Sequence, residues 1–279
     1  AISEHKITHF GGAPIVLSML LNSPRAKDFS CNHTVELMTA GAPPPASVLQ
    51  GIEKLGFNVT QVYGLTETYG HTVMSTWNTD WDDTDAEHRA KLKARQGAAM
   101  VMTGGMRIVD MESRDDVPAD GESIGEILIR GNTVMKGYLK DNENTIESLK
   151  DGWFHTGDLA VMHPQGYAEI KDRLKDIIIS GGENISSVEI EGVLHKHEAV
   201  SLAAVVALPD EKWGEVPCAF LELIDGMTVS ESEIETFCRA HLAGFKRPKK
   251  VVFGELPKTA TGKIQKYELR TLARSGKLN

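Results

Sequence analysis

The chain has 279 residues, a length that suits one large domain or two ordinary ones. Hydrophobic residues make up 41% of it and charged residues 25%, which are proportions typical of a globular protein. Its formal net charge of −9 argues against a general binder of nucleic acid or of anionic membranes, because both need a basic surface. The cysteines, Cys31, Cys218 and Cys238, show no paired spacing, which disfavours a disulfide framework or a zinc site. No apolar run approaches the ~20 residues of a membrane helix, and we expect a cytoplasmic protein.

The first hundred residues carry the pattern of a parallel α/β sheet. The segment APIVLSMLL (13–21) predicts a helix, and HTVELMTAG (33–41) predicts a strand that ends in glycine. PPPASVLQGIEKLG (43–56) begins with prolines suited to a first helical turn and ends on a glycine cap, so it predicts a second helix. The run FNVTQV (57–62) then predicts a short buried strand. Strand, helix and strand in this order are typical of a parallel sheet.

The pattern of apolar residues and glycines changes twice further along the chain. From about 98 to 171, short β-like runs broken by glycine predict a small antiparallel sheet or barrel. Beyond the charged stretch and paired glycines of KDRLKDIIISGGENI, capped helices alternate with strands, which predicts a small α+β domain. We therefore expect one large domain over 1–174, with an α/β portion (1–97) and a β-rich subdomain (98–174), and a small domain over 175–279.

Polar residues follow the FNVTQV run at once. We expect this strand to end at Val62, with Gly64 marking the break that follows. Tyr63, Thr66 and Glu67 would then lie at its carboxyl end. In open α/β sheets ligands bind at that end of the strands. The alternative is a turn in which the tyrosine packs and the glutamate is solvated.

Four further segments combine glycine with polar groups. MTAGAP ends a strand with the bare Gly41 between Ala40 and Ala42, so a flat ligand could lie on the backbone there. In GWFHTGD, Asp158 follows a tight turn, and a carboxylate is the usual hydrogen-bonding partner of vicinal sugar hydroxyls. KDRLKD adds Arg173, a planar fork suited to phosphate or ribose oxygens, and PKTATGK adds the positive charge of Lys263. Each of these segments alone is also typical of an ordinary turn or surface loop.

In this order the motifs resemble the adenylate-forming superfamily of acyl-CoA synthetases, luciferases and peptide-synthetase adenylation domains. The resemblance covers essentially the whole chain. GYLKDNENT, PDEKWGEVPCAF and the long segment DGWFHTGDLAVMHPQGYAEIKDRLKDIIISGGENISSVEIEGVL are most similar to acyl-CoA synthetases of the acyl-activating-enzyme type. The resemblance implies ATP, Mg²⁺ and coenzyme A as cofactors or cosubstrates, and a small-molecule carboxylic acid as substrate.

The resemblance also implies roles for the residues of the first portion. Tyr63 would stack on adenine, with Gly64 beside it and the backbone of Ala40, Gly41 and Ala42 on the other face. Thr66 would hydrogen-bond phosphate, and Glu67 would bind the magnesium ion. Asp158 would hold the ribose hydroxyls, with Arg173 assisting.

For the small domain the resemblance implies rotation between two half-reactions. Lys263 would bridge the substrate carboxylate and the α-phosphate while the acyl-adenylate forms. The domain would then rotate about Lys175 and bring Gly181 and Gly182 to the site, where their backbone would let the pantetheine arm of coenzyme A pass.

The phosphate-gripping loop of the family, rich in Ser, Thr and Gly and ending in Pro-Lys-Gly, has no counterpart here. We therefore expect a carboxyl-terminal portion of a longer enzyme that is inactive alone and that self-associates, with a homodimer as the candidate state. Two other functions stay open. One is an adenylating enzyme that passes its acyl group to a carrier protein, and the other is a non-catalytic module that binds a nucleotide or coenzyme A.

Overall fold

The computed structural model describes residues 1–41, 44, 46–259, 262–276 and 278. The chain divides into two units, Ala1–Ile170 and Lys171–Asn279. The expected boundary between 174 and 175 lies shortly after this division and stays a prediction. The described helices are α1 (Pro14–Asn22), α2 (Ala46–Lys54), α3 (Ala86–Lys93), α4 (Asn142–Ser148), α5 (Ser187–Leu194), α6 (Glu231–His241) and α7 (Lys266–Arg274).

A five-stranded sheet forms the first part of the first unit. Its strands lie in chain order, and the pairs β1–β2 and β2–β3 are parallel whereas β3–β4 and β4–β5 are antiparallel. The predicted strand–helix–strand unit is confirmed, because α2 connects the parallel strands β2 and β3. The strands are β1 (His9–Gly12), β2 (Val35–Thr39), β3 (Phe57–Leu65), β4 (Gly70–Met74) and β5 (Ala98–Ala99).

The helices of this part cover the sheet with apolar side chains. Leu17 of α1 and Leu49 and Ile52 of α2 are fully buried in one cluster with Leu37 and Val59 of the paired strands β2 and β3. Pro14 stands at the start of α1, where its missing N–H has no helical partner to lose. Burial of each such aliphatic side chain contributes about 1.5–3 kcal/mol, so this cluster holds β2 and β3 in register.

The second part of this unit is a four-stranded sheet in the order β6-β7-β8-β9, with antiparallel β6–β7 and β7–β8 pairs, and its last strand continues into the second unit. The antiparallel sheet that the glycine-broken runs predict is therefore present as an open sheet and not as a barrel. Ile108, Ile127, Ile129 and Phe154 form its core. The strands are β6 (Gly105–Val109), β7 (Ile124–Arg130), β8 (Phe154–Met162) and β9 (Ala168–Arg173).

The second unit is built around a long antiparallel pair, β12 and β13, beside which β14 runs parallel to β13. Ile190 and Leu194 of α5 and Ile234 and Cys238 of α6 pack fully buried against it. This is the predicted α+β arrangement. The strands are β10 (Ile178–Ser180), β11 (Glu183–Ile185), β12 (Val200–Asp210), β13 (Gly214–Leu223) and β14 (Lys250–Phe253).

Candidate functional site

The strand that leads into the site is longer than its sequence indicates. We expected β3 to end at Val62 and Gly64, but it continues to Leu65, so Tyr63 and Gly64 are strand residues. The reason is pairing with β4, whose register shifts between Tyr63 and Gly64. A Cβ atom on Gly64 would lie 1.9 Å from the carbonyl oxygen of Gly70. Gly64 is therefore required by the close approach of two backbones, whatever its role toward a ligand.

A tight 3₁₀ turn, Thr66–Thr68, follows β3 and presents two of the expected site residues. Thr68 is 1% exposed, and its hydroxyl accepts the N–H of Leu65 at 2.9 Å and lies 2.8 Å from the oxygen of Gly70, to which it donates. This buried hydroxyl closes the turn and leaves Thr66 exposed and Glu67 half-buried. Sequence reasoning missed Thr68, and the available signal was a hydroxyl placed to cap the end of the strand.

Glu67 is held by a residue from a distant segment. Its carboxylate accepts a hydrogen bond from the Tyr138 hydroxyl at 3.0 Å, and its backbone oxygen accepts the N–H of Met135 at 2.8 Å. Burial, and then the hydrogen bond to Glu67, raise the pKa of Tyr138, so the phenol keeps its proton at neutral pH and remains the donor. Tyr138 was not among the predicted site residues, although it lies in the GYLKDNENT segment.

Tyr63 and Asp158, predicted from separate motifs, meet in the structure. The Tyr63 hydroxyl donates to Oδ2 of Asp158 at 2.8 Å across a sequence separation of 95 residues. Asp158 is 5% exposed and lies on β8, and its N–H donates to the Thr156 hydroxyl at 3.1 Å. The Thr156 hydroxyl in turn donates to the Ile127 oxygen at 2.7 Å. An aromatic face and a carboxylate are thus fixed side by side.

A buried pair behind Asp158 supports this geometry. Glu126 lies in the middle of the apolar strand β7, is 7% exposed, and has Oε2 2.8 Å from Nδ1 of His155. Its other oxygen accepts the N–H of Gly157 at 3.1 Å, and Gly157 has a φ of +68°. Glu126 therefore holds the backbone turn that precedes Asp158. Sequence reasoning missed this pair, whose signal is a carboxylate within an otherwise buried apolar strand.

The expected adenine-facing backbone follows β2. Thr39 pairs with Gln61 of the parallel neighbour β3, so the residues after Thr39 lie at the same edge of the sheet as Tyr63. Gly41 has a φ of +96°, and no atom lies within 4 Å of the position of an added Cβ. Gly41 and Ala40 are exposed, and Ala42 lies outside the described residues.

The remaining predicted residues lie in the second unit. Arg173 is half-buried at the end of β9, and Lys175 is exposed in the turn that the Asp176 N–H closes onto the Arg173 oxygen at 2.9 Å. Gly181 and Gly182 turn the chain between β10 and β11 with φ angles of +60° and +90°. A Cβ atom on Gly181 would lie 2.8 Å from the Trp213 ring, whereas a Cβ atom on Gly182 would have no atom within 4 Å.

Lys263 stands on a short hairpin loop. Its N–H donates to the Thr259 hydroxyl at 3.1 Å, and its oxygen accepts the Thr259 N–H at 2.9 Å. Lys258 and Ile264 form an isolated antiparallel bridge at the base of the loop. The side chain of Lys263 is exposed. The expected residues thus fall on both units, with Gly41, Tyr63 and Asp158 on the first and Arg173, Lys263 and the paired glycines on the second.

Two family models match the chain, the AMP-binding enzyme over residues 1–139 and the AMP-binding enzyme C-terminal domain over residues 189–263. Among curated proteins, it is 53% identical over 277 residues to 2-methylpropanoate–CoA ligase CCL4 of Humulus lupulus, covering 98% of this chain and 50% of that protein. It is 50% identical over 279 residues to the peroxisomal acetate/butyrate–CoA ligase AAE7 of Arabidopsis thaliana, covering 98% of this chain and 49% of that protein. The chain therefore spans about half the length of these relatives.

Solved structures agree with this placement. The anthranilate–CoA ligase AuaEII in complex with anthranoyl-AMP superposes with a TM-score of 0.85 at 28% identity, over 98% of this chain and 51% of that one. ATP-bound MatB from Rhodopseudomonas palustris superposes with a TM-score of 0.82 at 31% identity, over 95% of this chain and 51% of that one. Family models, relatives and folds concur, and the chain belongs to the AMP-binding, adenylate-forming enzyme family.

Proposed function

We propose that the protein to which this chain belongs is an ATP-dependent acyl-CoA synthetase. The observation that supports this most strongly is the contact between Tyr63 and Asp158, which joins a flat aromatic ring and a carboxylate at the edge of the sheet. An adenosine needs these two groups close together, one for the base and one for the ribose hydroxyls. The relatives named as CoA ligases support the same reaction class.

In the first half-reaction an oxygen of the substrate carboxylate attacks the α-phosphorus of ATP, and the bond from that phosphorus to pyrophosphate breaks. Tyr63 and the exposed backbone at Gly41 flank adenine, Asp158 holds the ribose, and Arg173 assists. Thr66 hydrogen-bonds phosphate. Two anions approach each other in this step, so Lys263 stabilises the transition state by bridging the carboxylate and the α-phosphate.

Glu67 is the residue that would hold Mg²⁺. Its half-buried carboxylate, with Thr66 beside it, offers hard oxygen donors at the exposed end of β3. Among the described residues there is no cluster of three or more metal-ligating side chains. That fits an ion held by one carboxylate together with substrate phosphates. When bound, magnesium neutralises charge that develops on the phosphates.

In the second half-reaction the thiol sulfur of coenzyme A attacks the acyl carbonyl, the bond to AMP breaks, and the thiol proton passes to solvent. Gly181 and Gly182 suit this step because their backbone turns sharply without side chains, and the space beside Gly182 is open. Rotation of the second unit about Lys175 would exchange these glycines for Lys263.

We propose a short-chain carboxylic acid as substrate. Three relatives at 50–53% identity are named for 2-methylpropanoate, acetate and butyrate. Tyr69, the residue that follows the Thr66–Thr68 turn, is 88% exposed and has a left-handed φ of +55°.

The test uses the full-length enzyme with Mg–ATP, coenzyme A and a panel of short, branched and aromatic acids, with products followed by mass spectrometry. We expect a thioester from short acids. Acyl-AMP without thioester would favour the alternative, transfer to a carrier protein. AMP or coenzyme A binding without turnover would instead indicate a non-catalytic module.

This chain alone is proposed to be inactive, because the residues that grip the β- and γ-phosphates in the family have no counterpart in it. Acid-dependent AMP release by the isolated chain would contradict that proposal. Light scattering of the same sample tests the proposed homodimer.

No helix in the described residues has the length and apolar character to cross a membrane. Two relatives are named peroxisomal, so the cytoplasmic location stays a proposal, which imaging of the tagged full-length protein tests.

A further inference from the structure

The two carboxylate oxygens of Glu67, the proposed magnesium ligand, have different surroundings. Oε1 accepts the hydrogen bond from the Tyr138 hydroxyl at 3.0 Å. Within the part of the chain that the structure describes, Oε2 has no hydrogen-bond or ion-pair partner. The backbone of Glu67 is fixed as well, because its oxygen accepts the Met135 N–H at 2.8 Å. One oxygen of a fixed carboxylate is therefore engaged, and the other is left for a cation.

The ring of Tyr138 extends from a segment that is closed by its own hydrogen bonds. The Tyr138 N–H donates to the Thr145 hydroxyl at 2.9 Å, and that hydroxyl donates to the Asp141 oxygen at 2.7 Å. Gly137 has a φ of +150°, and a Cβ atom on it would lie 2.6 Å from Cγ2 of Thr145. None of these contacts uses the phenol hydroxyl. Loss of that hydroxyl would therefore leave the segment in place and free the Glu67 oxygen.

Magnesium and calcium ions differ in how they bind a carboxylate. Mg²⁺ requires a near-ideal octahedron at about 2.0–2.1 Å and is usually bound by one or two carboxylates together with substrate phosphates. Ca²⁺ takes about 6–8 oxygen ligands at about 2.3–2.6 Å and accepts both oxygens of one carboxylate. A carboxylate that holds a phenol on one oxygen offers a single oxygen to the cation, and this suits the smaller ion.

We propose that Tyr138 is a positioning residue that selects the divalent cation for adenylation, because its hydroxyl restricts Glu67 to binding through Oε2. Mg²⁺ is then favoured, and Ca²⁺ cannot use both carboxylate oxygens without displacing the phenol. This inference rests on the proposed function. It deepens that function by naming a residue that distinguishes one cation from another.

The test measures ATP binding to the full-length enzyme by calorimetry, with Mg²⁺ or Ca²⁺ at equal concentrations and without the carboxylic acid, so that no adenylate forms. In Tyr138→Phe the affinity for Mg–ATP should fall by about tenfold, the lower end of the usual loss when a group that orients a metal ligand is removed. The affinity for Ca–ATP should stay the same or rise, because Oε1 becomes available. Retained binding of Ca–ATP also shows that the variant is folded.

Tyr267→Phe is the matched control, because it removes the hydroxyl of another tyrosine that donates to a glutamate carboxylate, Oε1 of Glu268, at 2.9 Å. It should change neither affinity. Unchanged Mg–ATP affinity in Tyr138→Phe would overturn the inference. An equal fall with both cations, which a purely structural role would cause, would overturn it too.

A failure of the proposed function would look different. An unchanged enzyme that binds ATP with neither cation and forms no thioester would overturn the proposed function and the inference with it. An unchanged enzyme that forms the thioester, while Tyr138→Phe loses both affinities equally, would overturn the inference alone.

Discussion

A single hydroxyl joins the two motifs from which the nucleotide site is argued. The Tyr63 ring can stack without its hydroxyl, so the contact with Asp158 must serve position rather than stacking. Asp158 is nearly buried and receives further support from the Thr156 turn. The position of Asp158, the proposed ribose-binding carboxylate, therefore depends on tertiary contacts as well as on β8.

Tyr63→Phe keeps the ring and removes the donor to Asp158. We expect the free energy of unfolding of the chain to fall by about 1–3 kcal/mol, because a hydrogen bond to a buried charged group is lost. Urea unfolding of the chain measures this. In the full-length enzyme the KM for ATP should rise. The control Tyr267→Phe alters an exposed hydroxyl bonded to its neighbour Glu268 and should leave both quantities unchanged.

Lys263→Ala tests the proposed transition-state contact. In the full-length enzyme, acid-dependent pyrophosphate exchange should fall by about 10²–10³-fold, because one preorganised charge is lost. Thioester formation from supplied acyl-adenylate should persist. Lys196→Ala, which removes an exposed lysine on the same unit, should alter neither rate. Loss of both half-reactions in Lys263→Ala would contradict the assigned role.

At the scale of elements, the bulge between β3 and β4 decides how the site turn is presented. The two backbones approach so closely at Gly64 that no side chain fits between them. Thr68 then closes the turn, and Tyr69 takes a left-handed conformation before β4 begins. Thr66 and Glu67 are the residues that this geometry leaves at the surface.

Gly64→Ala should separate β3 from β4. Its Cβ would overlap the Gly70 backbone, so we expect at least several kcal/mol of destabilisation or no folded product, which circular dichroism and urea unfolding would show. Gly192→Ala is the control, because no atom lies within 4 Å of its Cβ position on α5 and alanine favours helix. It should be neutral or slightly stabilising. Equal stability of the two variants would contradict the bulge.

His195, which follows the last residue of α5, should make the stability of the chain depend on pH. Burial lowers the pKa of His195 to about 4, below its ordinary value of 6.5. The unfolded chain therefore binds the proton more readily, so the contribution is present above pH 6.5 and is lost as the pH falls toward 4. Its upper size is about 3 kcal/mol. Urea unfolding from pH 7 to 4 should show a smaller loss in His195→Gln than in the unchanged chain.

At the scale of the whole molecule, local patterns predicted the elements well. Apolar runs and glycine caps placed α1, α2 and the parallel strands, because helix and strand periodicity is written in neighbouring residues. The predicted end of β3 was wrong, because pairing with β4 extends the strand beyond what its own residues indicate.

The site was only partly predictable, for the same physical reason. Motifs named Tyr63 and Asp158, but their mutual contact spans 95 residues and no local pattern shows it. Tyr138, Glu126 and His155 act through partners from other segments, so each looks ordinary in its own stretch of sequence.

The most direct test of the central claim follows one oxygen atom. The full-length enzyme is given a short-chain acid labelled with oxygen-18 in its carboxylate, together with Mg–ATP and coenzyme A, and the AMP is analysed by mass spectrometry. The account predicts one labelled oxygen in AMP, because the carboxylate oxygen that attacks the α-phosphorus leaves with AMP when the thiol attacks. Label in inorganic phosphate, or AMP without label, would contradict it.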